Sequence, residues 1–163
     1  MTSKIPPKAL KIANIVRQEA DAIKVNRDKK MFAYPQPIHS TLAGYCGEVS
    51  YVLWRTLLKQ GIESVFVSGW YLVRTKEDAV RIPHKWVVGT DNEYAIDLTA
   101  TQFGSRVKVA NAKGHKYHLK EATDSKDEAL DMCYDLSFWF IRELTKRVNA
   151  RLTPKPKSRK VSK

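Results

Sequence analysis

Between Gly61 and Val65 the hydrophobic period of the chain changes, and that change limits the folds open to it. Before it, Cys46, Val49, Leu53 and Leu57 recur at helical spacing, with Val52, Trp54 and Leu58 alongside, and Gly61 stands where it would cap the helix. After it, Val65, Val67, Gly69, Tyr71 and Val73 alternate with Phe66, Ser68, Trp70 and Leu72, the mostly apolar run of a well-buried strand. Residues 74–83 are polar and charged, which predicts a surface connection. His84–Val88 and Glu93–Leu98 read as two further strands around Gly89-Thr90-Asp91-Asn92, a tetrad that predicts a hairpin. Short strands or loops are expected at Val107–Ala110 and near Tyr117–Leu119.

Helices flank this region. Ala9, Ala13, Val16, Ala20 and Ile23 mark an amphipathic helix that opens after Pro6-Pro7 and is expected to end near Asn26–Lys30. Residues 31–45, with Pro35, Pro37 and Gly44, read as a loop. Ser125 and Glu128 form a capping box, after which Leu130, Cys133, Leu136, Phe140, Leu144 and Val148 mark one face of a single long helix. The order helix, helix, strands, helix predicts an α+β fold with helices packed on an antiparallel sheet. The length supports one domain over residues 1–150, followed by a basic, flexible tail over 151–163 with too little apolar surface to fold alone.

Composition excludes several classes. Nowhere do about 18 apolar residues run consecutively, so no membrane span is expected. The first 25 residues include Pro6, Pro7, Glu19 and Asp21 and lack the apolar core of a secretory signal. Two cysteines are too few for a disulfide scaffold, and both are expected to be thiols in a reducing cytoplasm. The net charge of +12 points towards nucleic acid, but residues 1–30 carry +5, residues 142–163 carry +8, and the middle carries −1. Lys and Arg at 151, 155, 157, 159, 160 and 163 would either solubilise the chain or bind nucleic acid or another acidic partner, weakening steeply with salt. The neutral middle needs its own explanation.

Cys46 stands at the start of a predicted helix, where the dipole and the unpaired N–H groups favour a thiolate and could donate to an oxyanion. Read alone, it is more simply a small buried apolar side chain. Gly47 would permit close approach of a substrate backbone, and Glu48 would oppose a thiolate if it pointed inward. In a regular hairpin with Gly89–Asn92 as its loop, Val88 faces Glu93 and His84 faces Asp97. Their Cβ atoms would then lie about 4.5–5.5 Å apart, so the carboxylate could fix the imidazole tautomer and support an imidazolium. Cysteine, histidine and aspartate in such an arrangement suit thiol acyl chemistry.

Gly44-Tyr45-Cys46-Gly47-Glu48, His84-Lys85-Trp86-Val87-Val88 and Ala95-Ile96-Asp97-Leu98-Thr99-Ala100-Thr101-Gln102-Phe103 together resemble the transglutaminase-like branch of the papain-like cysteine peptidase superfamily. The resemblance spans about residues 40–104, roughly 40% of the chain. It implies a papain-like or transglutaminase-like fold and a Cys46–His84–Asp97 triad. It also implies a peptidase, glutamine deamidase or transglutaminase that acts on the amide group of a protein or peptide through a thioester. The oxyanion donors would be the Cys46 N–H and one upstream group, with Gln36, His39 and Ser40 as candidates. A catalytically silent member of the branch, serving as a basic binding module for nucleic acid or protein, is the alternative. No cofactor is called for. His115 and His118 lack metal-like partners, and Gln102-Phe103 is expected to pack and turn rather than to act in catalysis.

Overall fold

Pro7 stands at the first position of a helix, where its missing N–H goes unused. That helix, α1 (Pro7–Ala22), buries Ala9, Ile12, Ala13, Val16 and Ala20 along one face. It belongs to a computed structural model that describes residues 4–23, 42–74, 76–90, 92–133 and 136–154. The helix stops at Ala22, short of the expected Asn26–Lys30, because Ile23 turns to extended backbone. Most of the expected loop, residues 31–41, lies outside the described residues.

The next helix, α2, is Cys46–Lys59, and the strands are β1 (Ser64–Arg74), β2 (Ala79–Gly89), β3 (Ala95–Asp97), β4 (Ala110–Asn111) and β5 (Tyr117–Thr123). They form one antiparallel sheet in the order β4-β3-β2-β1-β5. β1 and β2 pair without interruption from Ser64↔Gly89 to Arg74↔Ala79. The polar segment expected as a connection is therefore half strand. Pairing needs only backbone groups, so Ala79, Val80 and Arg81 continue the ladder while remaining exposed.

One face of the sheet, through Phe66, Val87 and Ile96, joins a core with α1, α2 and the last helix. Trp54 and Leu53 of α2 are fully buried there, and each such side chain contributes about 1.5–3 kcal/mol relative to an exposed one. Trp54 Nε1 donates to the Ser64 carbonyl at 2.9 Å and Ser50 Oγ to the Lys85 carbonyl at 3.0 Å, which ties α2 to both central strands. The other face carries Val67, Trp86, Val88 and Ala95. Gly69 interrupts β1 for a steric reason: a Cβ there would lie 2.2 Å from the His118 carbonyl oxygen and 2.6 Å from the Trp86 ring. The register with β5 shifts at this point, between Ser68 and Gly69.

The single long helix expected after Ser125 is two helices, α3 (Lys126–Asp131) and α4 (Phe138–Leu152). Each has its own serine cap, Ser125 accepting from the Glu128 N–H and Ser137 from the Phe140 N–H. Cys133 falls in the connection and packs, half-buried, against the core. At the C-terminal end, Arg151 and Leu152 belong to α4, and Arg151 donates to Gln18 at 2.9 Å and Glu19 at 3.0 Å. The folded unit thus runs past residue 150, and residues 155–163 lie outside the described part. Among the described residues no helix is long and apolar enough to cross a membrane.

Candidate functional site

Leu42–Tyr45 form a turn closed by the Tyr45 N–H on the Leu42 carbonyl at 3.0 Å. Gly44 holds φ at 78° within it, a conformation that favours glycine. The turn delivers Cys46 as the first residue of α2, half-buried, where Tyr45 supplies no side-chain cap to the opening turn. The N-terminal partial charge of the helix therefore falls on the sulfur's surroundings. Glu48 points inward and is committed to another element. Its carboxylate, 1% exposed, accepts from the Ser137 N–H at 2.9 Å and so anchors the start of α4. Gly47 serves packing rather than substrate approach, since a Cβ there would lie 3.1 Å from Cys133 Sγ and 3.4 Å from Leu136.

His84 and Asp97 are both wholly buried and joined by a 2.7 Å hydrogen bond between Nε2 and Oδ2. They meet in a register other than the expected one. Val88 pairs with Ala95, and Val87 with Ile96. The hairpin is thus offset by two residues from the pairing of Val88 with Glu93. Asp97 is a diagonal rather than a direct neighbour of His84. An offset of two preserves parity, so both side chains still belong to one face, and a diagonal neighbour is within reach of long side chains.

Asp97 accepts four hydrogen bonds. Oδ2 takes His84 Nε2 and the Tyr117 hydroxyl at 2.9 Å, while Oδ1 takes the Thr99 N–H at 2.7 Å and the Thr99 hydroxyl at 3.1 Å. Burial alone would raise its pKa, but the His84 charge and these bonds outweigh it and hold the group below the usual carboxylate range. Burial likewise pulls His84 down, yet the Asp97 charge and hydrogen bond, helped by a hydrogen bond with Cys46, push it up to about 9. Cys46, His84 and Asp97 are therefore in contact as a chain of three.

Four further residues complete the surroundings, of which the sequence marks only Gln102 and Phe103, and those for packing and turn formation. Tyr117 comes from β5, two strands away from β2, and only the sheet order brings its hydroxyl to Asp97. Gln102 lies in a 3-10 turn, Ala100–Phe103, directly after β3. Its Oε1 accepts from the Gly44 N–H at 3.1 Å, and its Nε2 sits 3.4 Å from His84 Nδ1. It does pack, as expected, but between the cysteine's turn and the histidine. Phe103 stacks on Tyr71 with centroids 4.1 Å apart and meets the His84 ring edge-on at 4.9 Å. Buried Arg17 of α1 holds this segment by donating to the Leu98 carbonyl and to Thr101 Oγ1.

A cavity of about 390 Å³ adjoins the aromatic wall, lined by Tyr71, Arg74, Phe103, His115 and Lys116 among others. His115 thus faces a groove with basic neighbours, and the described residues hold no group of three His, Cys, Asp or Glu able to bind a metal ion. Gln36, His39 and Ser40, the upstream oxyanion candidates, lie outside the described residues. No protein-family model, curated protein or solved structure matches the chain.

Proposed function

We propose that the chain is a cysteine-dependent amide hydrolase or acyltransferase with a papain-like, transglutaminase-like fold, working through Cys46, His84 and Asp97. One observation carries the proposal. The buried His84 ring is held by Asp97 at Nε2 while it also bonds Cys46, an arrangement of orienter, base and nucleophile. His84 takes the Cys46 proton, and the thiolate pair attacks a carboxamide or peptide carbonyl carbon. The carbonyl π pair moves onto oxygen. Collapse of that oxyanion expels an amine, which leaves with the proton from His84 and gives a thioester. Water then releases the acid, or a second amine takes the acyl group. The Cys46 N–H, in the opening turn of α2, is one donor to the oxyanion.

Iodoacetamide alkylation of the intact protein tests the proposal. The wild type is expected to label at Cys46 rapidly well below pH 8, and His84→Ala to label slowly. Cys133 supplies an internal reference thiol. If Cys46 reacts no faster than an unactivated cysteine, whose pKa is about 8.5, the proposed chemistry fails and the fold is a binding module.

A further inference from the structure

We propose that the Gln102 side-chain amide is the second oxyanion donor, a role assigned from downstream of Asp97 rather than from the segment before Cys46. This rests on the proposed activity and refines it. Gln102 is 5% exposed, so its amide must be used within the protein. The Gly44 N–H requires an acceptor and receives Oε1, which fixes which end of the amide points where. Nε2 is therefore aimed at the His84 Nδ1 side, where His84 also bonds Cys46.

The proton inventory then sets what Nε2 can do. Raised to about 9, His84 is an imidazolium at neutral pH: Nε2–H donates to Asp97, and Nδ1 carries a proton and cannot accept from Gln102. Gln102 cannot turn its oxygen inward without abandoning Gly44. Its N–H therefore stays on the reacting side, where the oxyanion forms after attack. Arg17 secures the position by fixing the preceding turn through Leu98 and Thr101.

Two reagents that differ in whether an oxyanion forms provide the test. Iodoacetamide alkylates sulfur by direct displacement of iodide, with no oxyanion. In p-nitrophenyl acetate the S–C bond forms, a tetrahedral oxyanion appears, and the aryl C–O bond then breaks to release p-nitrophenolate with the bonding pair. The thiol proton passes through His84 to solvent. Gln102→Glu keeps an oxygen for the Gly44 N–H and removes the donor; Gln102→Ala removes both and guards against effects of the added charge.

In both variants the acylation burst is expected to fall about 100-fold or more, while alkylation at Cys46 stays within a few-fold of wild type. Equal losses with both reagents would make Gln102 merely structural, and no loss with either would leave it without a role; each overturns the inference while the proposed activity stands. A wild-type Cys46 that alkylates like an ordinary thiol would instead overturn the activity, and the donor role with it.

Discussion

Replacing Asp97 by Asn should abolish the loss of stability that the wild type undergoes as pH rises. In the native protein His84 is raised from its ordinary 6.5 to about 9. A group with a raised folded-state pKa stabilises fully below its unfolded value and loses that contribution as pH climbs through the folded one. Asp97, held below its ordinary 3.8, contributes above that value and loses its share as pH falls through the lowered one. Both contributions coexist between about pH 4 and 6.5. Above that window the wild type should lose about 3 kcal/mol by roughly pH 9.5, at 1.36 kcal/mol per pKa unit. For a chain of this size that corresponds to about 6–12 °C in Tm.

In Asp97→Asn the carboxylate is gone and burial of His84, the largest opposing influence, remains. His84 should then titrate below 6.5, and stability should rise or stay flat over the same range. Urea unfolding followed by tryptophan fluorescence at pH 6, 7.5 and 9 reads the difference. Parallel stability curves for wild type and variant would refute the assignment of a buried imidazolium–carboxylate pair.

Tyr117→Phe removes one of four donors to Asp97 without creating a cavity, and should cost about 1–3 kcal/mol, the range for hydrogen bonds to charged groups, measured by urea unfolding at pH 6. Gly69→Ala places a methyl against the backbone of β5 rather than against a mobile side chain, so a loss of about 3 kcal/mol is expected in thermal denaturation. A variant as stable as wild type would show that β5 is not seated across Gly69.

The α+β class and the antiparallel sheet were legible because period-two and helical spacing dominate where side chains are buried. The extension of β2 to Ala79 was not, since exposed hairpin arms carry no apolar alternation. Nor was the break before α4. Cys133, Leu136 and Phe140 keep helical spacing across it, but Ser137 caps a new helix, and its N–H is taken by Glu48 from a distant segment. A local pattern cannot register a partner 89 residues away.

The hairpin separates what pattern can and cannot determine about a site. Turn composition alone placed the loop at Gly89–Asn92, whereas the Gly89 N–H bonds the Tyr94 carbonyl at 2.9 Å and moves the closing pair one residue along the chain, from Val88 and Glu93 to Gly89 and Tyr94. An offset of one residue would have sent His84 and Asp97 to opposite faces; an offset of two changed the partner and kept the face. The approximate location of a charged pair is thus robust to even errors in register, because pleating enforces alternation whatever the pairing. The direction of each hydrogen bond is not robust in this way. Which nitrogen of His84 meets Asp97, and that Gln102 reaches back to Gly44, depend on a three-residue strand ending at Asp97 and on the turn that follows it. Asp97-Leu98-Thr99 brings the strand to a close because the Asp97 carboxylate captures the Thr99 N–H, withdrawing from the ladder the very group that would continue it. The same bond that ends β3 therefore fixes the carboxylate for His84 and starts the turn that carries Gln102 to the histidine.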